Sequence, residues 1–519
     1  MTAMSMSMAS LQAPEFLASC LLLLATILLF KQLPVPSSKK RAASPPFPRP
    51  RGLPLIGNLH LVGALPHRSL AALAARHAAP LMLLRLGSVP TLVVSSADAT
   101  RALFRDNDRA LSGRPALYAA TRLSYGHKSI SFAPDGAYWR AARRACLSEL
   151  LVAPRVRGFR DARESEAAAL VAAVARASAA GCPVNLSDMV AATSNRIVRR
   201  VAFGDDDGDG DESMDVKAVL DETQVLLGGF WVADYVPSLR WLDALRGMRR
   251  RLERRFHQLD ALYERVIDDH LNKRKATEEE DDFVDVLLRL HGDPSHRSTF
   301  GSRSHIKGIL TDMFIAGSDT SAVTVQWAMT ELVRNPDVLA KAQHEVRSVV
   351  GVDKDGGMVR EADLPELHYL RLVIKETMRL HPAAPLLVPR ETTEPCTVHG
   401  VEIPAKTRVL INAMAIHTDP GTWGPDAARF VPERHDYAGG GGDRMPWHDG
   451  FALVPFGIGR RSCPGVHFAM AVVELLLANL LFCFDWRAPP GGEVDVEEEN
   501  GLAVHRKNPL VLIAKRNNL

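Results

Sequence analysis

The run Phe456-Gly457-Ile458-Gly459-Arg460-Arg461-Ser462-Cys463-Pro464-Gly465 constrains this chain more than any other ten residues. It sets a lone cysteine in a glycine-rich turn, beside two arginines and just before an apolar helical pattern, Val466 to Leu481. A metal-bound thiolate needs backbone N–H groups aimed at its sulfur, and glycines at 457, 459 and 465 allow a turn tight enough to aim them. Pro464 suits the first turn of the following helix. Other uses of the run fit less well. A dinucleotide loop would need a third glycine where Ser462 stands, and a later acidic residue. Zinc needs about four clustered ligands, and the nearest other cysteine is Cys483. A buried, inert cysteine leaves the glycines, Arg460 and Arg461 without a purpose.

The chain has 519 residues, 46% hydrophobic and 24% charged, with no linker in its middle, so one large domain is expected. A net charge of +3, with basic residues interspersed among acidic ones, gives no nucleic-acid footprint. Cys20, Cys146, Cys182, Cys396, Cys463 and Cys483 lack framework spacing, which suits free thiols in a reducing compartment. Phe16 to Phe30 is an uncharged, mostly aliphatic run, extendable towards Leu11 across Glu15. A cleaved signal peptide is the alternative, but no small-x-small site follows, and Lys31, Lys39, Lys40 and Arg41 form a basic flank. That flank favours an uncleaved anchor with the body in the cytosol. Pro45 to Pro54 cannot be helical and makes a stiff spacer. The expected division is an anchor over 1–31, a basic, proline-rich hinge over 32–54 and a catalytic domain over 55–519.

Periodicity predicts a mainly α chain with a minor β portion. Helices are expected over Ser69–His77, Tyr138–Leu151, Arg160–Ala179, Leu186–Val201, Met214–Leu227, Arg246–Lys273, Val284–Leu290, His305–Arg334, Pro336–Val350 and Tyr369–Leu380. Strands are expected over Leu81–Leu86, Thr91–Ser95, Thr397–Ile403 and Arg408–Asn412. Asp205 to Asp211, Glu278 to Asp282 and Gly439 to Gly442 read as solvated loops, the first lacking the closing Glu of a calcium loop.

Three further patterns carry chemistry. Ala316-Gly317-Ser318-Asp319-Thr320-Ser321 lies inside a long helix, where glycine costs about 1 kcal/mol and a threonine hydroxyl can return to the preceding turn. Asp319 and Thr320 could order water and pass protons, or form the polar stripe of a core helix. Glu376 and Arg379, three apart, share a helical face, a spacing usually spent on a surface ion pair. Trp139 and Arg143 are one turn apart, and Arg140 and Arg144 give the same helix a basic face.

Together these motifs resemble the cytochrome P-450 superfamily. Phe456, Gly459, Arg461, Cys463 and Gly465 match its haem-binding loop, Ala316 to Thr320 its oxygen-activation motif, and Glu376 with Arg379 its E-x-x-R pair. Pro432-Glu433-Arg434 matches its P-E-R segment, with His435 where phenylalanine is commoner, and Trp139 with Arg143 its W-x-x-x-R helix. Leu55 to His60 and Arg379 to Pro382 look like the plant microsomal A-type group.

The resemblance implies haem b (iron protoporphyrin IX) held by Cys463, with propionates met by Trp139, Arg143, Arg390 and Arg461. It implies a structural triad of Glu376, Arg379 and Arg434, and proton delivery by Asp319 and Thr320. It also implies electrons from NADPH through a separate NADPH-cytochrome reductase, O2 as co-substrate, and a single-pass protein in endoplasmic reticulum lipid. Arg140 and Arg144, more than Arg246–Arg255, are candidates for docking the reductase. Pocket walls are expected from Ile315, Ala316, Ala384, Val388, Leu502 and Ala503, and from the loop Tyr118 to Ser129. The expected reaction is hydroxylation of a small lipophilic plant metabolite: an amino-acid-derived oxime, an indolic amine or a terpenoid. No acidic residue is visibly placed to hold an amine. The competing readings are a reductase-independent haem-thiolate isomerase or dehydratase, and a membrane-anchored haem-binding sensor or carrier.

Overall fold

A computed structural model of the chain describes residues 47–204, 216–273, 282–351, 357–436 and 450–517. The proposed anchor, most of the hinge, and the loops Asp205–Asp211 and Gly439–Gly442 lie outside the described residues. Twelve helices of nine residues or more are present among those described. They are α1 (Pro66–Arg76), α2 (Ala97–Asn107), α3 (Ala137–Ala145), α4 (Arg160–Ala179), α5 (Leu186–Phe203), α6 (Val216–Gly228), α7 (Met248–Lys273), α8 (Phe283–Gly292), α9 (Arg303–Arg334), α10 (Pro336–Val350), α11 (His368–Leu380) and α12 (Val466–Cys483).

Two of these helices set the rest. Helix α9 is buried on nearly every side between Ile306 and Leu332, so its sequence lacks the one-sided polarity of a surface helix. Gly317 lets α5 come close: a Cβ there would lie 3.3 Å from Cγ2 of Val198. Ser194 of α5 seals the contact by donating to the Ser318 carbonyl at 2.6 Å. Helix α12 is the one described helix long and apolar enough to cross a membrane, but 78% of it is buried. It is a core helix.

The β portion is small but places two future site residues. A four-stranded sheet runs in the order Leu81–Leu86, Val89–Val94, Arg408–Ile411, Arg390–Glu391. The last strand bridges to Gly113, which brings Arg114 beside Arg390. Asn185 caps α5 and pairs with Val511 in a three-stranded sheet of Val184–Asn185, Val511–Arg516 and Phe484–Arg487.

Several expectations need correction. Tyr138–Leu151 is not one helix: α3 ends at Ala145 and the chain widens into a π turn, with Leu151 N–H on the Cys146 carbonyl. Thr397–Ile403 is a hairpin of Cys396–Val398 and Val401–Ile403, because His399 and Gly400 both take positive φ. Asp282 is not solvated; it is buried, caps α8 through the Asp285 N–H and lies 2.8 Å from Nε2 of His270. Helix α2 was missed because its buried face is Ala97, Ala99 and Thr100 before it reaches Leu103 and Phe104, a weak apolar signal.

The structure brings Glu376, Arg379 and Arg434 together. Arg379 donates to both Glu376 oxygens, at 2.7 and 2.8 Å, and Arg434 Nε to Oε1 at 2.9 Å. Both Glu376 and Arg379 are fully buried. His435 is a fourth member: its Nε2 lies 2.8 Å from Glu376 Oε2, a bond that phenylalanine could not make. Arg379 also donates to the His417 carbonyl at 2.8 Å, and His417 Nε2 accepts the Val454 N–H at 2.8 Å. The network therefore reaches the strand of chain leading into the cysteine loop.

Burial alone would raise the Glu376 pKa, but bonds from Arg379 and His435 outweigh it and hold it at about 2. Its stabilising contribution is complete above the unfolded-state value of about 4.3 and is lost as pH falls towards 2. Glu376→Ala would leave Arg379 and His435 buried without their anion. Urea denaturation should show a loss of about 3–5 kcal/mol, and the variant's stability should vary less between pH 4.3 and 2 than wild type's.

Candidate active site

The cysteine loop is closed by its own backbone. Cys463 N–H donates to the Phe456 carbonyl at 2.8 Å, and Gly457 and Gly459 take φ of 76° and 61°, which only glycine adopts freely. At Gly459 a Cβ would also lie 2.1 Å from Asp108 Oδ1. Gly465 differs: its φ of −94° suits any residue. Its glycine serves space instead, since a Cβ would stand 3.9 Å from Cys463 Sγ, facing the same cavity. Pro464 precedes the helix, because Gly465 is its N-cap. By surface area Cys463 is exposed, but that area opens into an interior cavity of about 260 Å³. Burial holds its thiol pKa above the ordinary value; the Gly465 N–H and the charge of Arg143 pull the other way.

Four arginines converge on that cavity: Arg114, Arg143, Arg390 and Arg461. Arg461 stacks on Trp139, 3.8 Å from the ring centroid, and donates to the carbonyls of Ser112, Ile130 and Ala133 at 2.8, 3.2 and 2.7 Å. Arg143 donates to the Ser462 carbonyl at 2.7 Å, Arg114 to those of Ser131, Val388 and Pro389, and Arg390 to those of Ile458 and Leu111. Every one of these acceptors is neutral. Burial, reinforced by mutual repulsion, lowers Arg461 to about 9 and also lowers Arg114 well below its ordinary value; Arg390, lowered by burial and by Arg143, stands at about 10. Such a cluster calls for an anion.

The opposite wall is α9. Ala316 and Thr320 face the cavity, and Thr320 Oγ1 returns to the Ala316 carbonyl at 2.8 Å. Asp319 does not line the cavity; its Oδ2 lies 3.0 Å from Nε2 of His505. Ala384, Val388 and Phe456 line it, whereas Ile315, Leu502 and Ala503 do not. Ile315 packs into the helical core, and Val504 N–H bonds the Ala383 carbonyl, setting 502–503 behind the wall. The loop wall comes from Ile130 and Ser131, not from Tyr118–Ser129. An acidic residue is present after all. Asp312 lines the cavity, accepting the Ile130 and Ser131 N–H groups at 2.6 and 3.1 Å; burial pushes its pKa to about 6.

The cytochrome P450 family model matches residues 45–513. This chain belongs to the cytochrome P450 family. It is 47% identical over 506 residues to cytochrome P450 71A9 of Glycine max, covering 95% of this chain and 97% of that protein. It is 43% identical over 489 residues to tryptamine 5-hydroxylase of Oryza sativa subsp. japonica, covering 92% of each. Among solved structures, a zebra fish cytochrome P450 with abiraterone superposes with a TM-score of 0.73 at 23% identity, covering 88% of this chain and all of that one. The chain is thus a plant A-type cytochrome P450, a haem-dependent monooxygenase.

The donor set of the cavity fits such a group: one sulfur facing it, and four guanidinium groups whose hydrogen bonds, among the described residues, all go to carbonyls rather than carboxylates. Arg114 escaped sequence reasoning, though Gly113-Arg114-Pro115 marks an extended, non-helical position. Asp312 was legible by spacing, being four residues before Ala316 and eight before Thr320 on one helical face. Arg143 makes the fewest backbone bonds of the four arginines, so Arg143→Gln removes charge with little other loss. Haem transfer to apomyoglobin is expected to run about tenfold faster from that variant.

Proposed function

We propose that the chain hydroxylates a small lipophilic plant metabolite carrying a nitrogen donor, an indolic amine or amino-acid-derived oxime, with electrons from NADPH through a separate reductase. The observation that carries this reading is the single cavity lined by Cys463, four unpaired arginines, Thr320 and Asp312. Cys463 would hold the haem iron, and Arg114, Arg143, Arg390 and Arg461 its carboxylates. When bound, the haem supplies the oxidising chemistry that puts one atom of O2 into a C–H bond and the other into water. Thr320 would hold a water in the cavity, and Asp319 would replenish its proton. Among the described residues Asp312 is the one carboxylate lining the cavity, and it would take a substrate ammonium or oxime hydroxyl in competition with the Ser129 and Ser131 hydroxyls beside it. A terpenoid hydrocarbon has no use for that group.

The remaining surfaces support an anchored, reductase-coupled enzyme. Arg140 and Arg144 are exposed on α3, flanking Arg143, and Arg460 is exposed on the cysteine loop. Arg140 also pairs with Asp135 and Arg460 with Asp108, and in the run from Arg246 to Arg255, Arg251 and Arg255 are engaged with Glu222. Leu53, Leu55, Phe230, Trp241 and Leu245 are exposed. They share one side, because Gly57 bridges to Leu86 and Ser88 N–H bonds the Tyr235 carbonyl. That apolar side follows directly on residues 1–31 and 32–54, and suits contact with endoplasmic reticulum lipid, the domain 55–519 facing the cytosol.

The reduced, carbon monoxide-bound protein should give a strongly red-shifted Soret band in the difference spectrum, absent in Cys463→Ala. Bound haem without that band in wild type would sink the reading. For the substrate class, tryptamine is the probe, titrated by the ferric Soret shift, with geraniol as a neutral control. Tryptamine affinity should strengthen as pH rises through about 6, where Asp312 ionises. Asp312→Asn should cost about tenfold for tryptamine and little for geraniol.

A further inference from the structure

The carboxylate of Asp319 leaves α9 on the side away from the cavity. Ala316, Gly317, Thr320 and Ser321 line that cavity while Asp319 meets His505 at 3.0 Å. His505 stands on the short strand His505–Arg506, opposite Glu499. Its side chain is 31% exposed against 14% for Asp319, so the ring links solvent to a mostly enclosed carboxylate.

The charges around this ring come from three packed elements: Asp319 on α9, Asp221 on α6 and Glu499 on the paired strand. Burial disfavours the imidazolium, but the bond and charge of Asp319, backed by the other two carboxylates, outweigh it and raise the pKa. The cations of its own strand are engaged elsewhere. Arg506 donates to Thr330 Oγ1 and the Asp495 carbonyl, and Lys507 pairs with Glu497.

We propose that His505 is a positioning residue that carries solvent protons to Asp319, so that the acid–alcohol pair is recharged from the strand side of α9. This rests on the reading of Asp319 and Thr320 as the proton-delivering pair. The imidazolium Nε2–H bond breaks as the Asp319 Oδ2–H bond forms, and water returns a proton to the ring; no electrons move. The final proton acceptor is O2, which the monooxygenase reaction reduces with electrons from NADPH. Above the His505 pKa the ring is neutral, delivery slows and reduced oxygen escapes as hydrogen peroxide.

The test uses the full-length haem protein with its reductase, NADPH and tryptamine. His505→Gln keeps an amide donor within reach of Asp319 but cannot titrate. In imidazole-labelled NMR of the diamagnetic ferrous carbon monoxide form, the resonance lost in His505→Gln should titrate above pH 6.5 in wild type and lower in Asp319→Asn. Peroxide released per NADPH should rise with pH along that same titration in wild type. In His505→Gln it should be raised about threefold at pH 6.5 and flat with pH. A wild-type peroxide profile in His505→Gln, or a His505 titration unmoved by Asp319→Asn, overturns the proposal. The second outcome needs the His505 variant only for assigning the resonance, not for turnover. A retained carbon monoxide band in each variant separates failure here from failure of the monooxygenase reading.

Discussion

The Arg461 guanidinium is the contact on which the geometry of this protein turns. Lying flat on Trp139 and donating to three carbonyls, it ties the cysteine loop to the segment between Ser112 and Ala133. Cys463 is two residues further on, so the sulfur inherits its position from a planar, five-donor group that lysine could not copy. Trp139 is fixed in turn by its own N–H on the Ile130 carbonyl at 3.1 Å, an acceptor it shares with Arg461. The same short stretch gives its Ile130 and Ser131 N–H groups to Asp312. One loop therefore reads both walls of the cavity, the cysteine side through carbonyls and the α9 side through amides.

Two buried arginine systems stand on either side of that loop with opposite electrostatic states. Around Glu376 the charges are matched: Arg379, Arg434 and His435 converge on one carboxylate, and remaining donors find carbonyls. Around the cavity, Arg114, Arg143, Arg390 and Arg461 find carbonyls alone. The unmatched set would suit the two carboxylates of the proposed haem, and the matched one is a brace that reaches the loop through His417 and Val454.

Local patterns were legible where one element carries both the signal and its meaning. The glycine turn, the long apolar α9 and the Glu376–Arg379 spacing each lie within about one helical turn or one loop. Arg114 lay hidden because its partner Arg390 is brought alongside by a bridge between Gly113 and Glu391, a pairing with no local trace. Leu502 and Ala503 were taken as wall residues, but the bond from Val504 N–H to Ala383 sets them one layer back. His435 read as a departure from pattern, and its sense emerged only with Glu376 beside it. What stayed hidden was, in each case, a contact between segments far apart in sequence.

Helix α9 joins these two scales. Its cavity face carries Asp312, Met313, Ala316, Gly317, Thr320 and Ser321, while the Asp319 carboxylate is turned to His505. Asp319 and Thr320, adjacent in sequence, therefore meet different surroundings, the acid His505 and the hydroxyl the cavity. Gly317, three residues from Thr320, sharpens the division by admitting Val198 of α5. The cavity face can be shaped for substrate while the acid keeps a path to water elsewhere, past a ring that is itself 31% exposed to solvent.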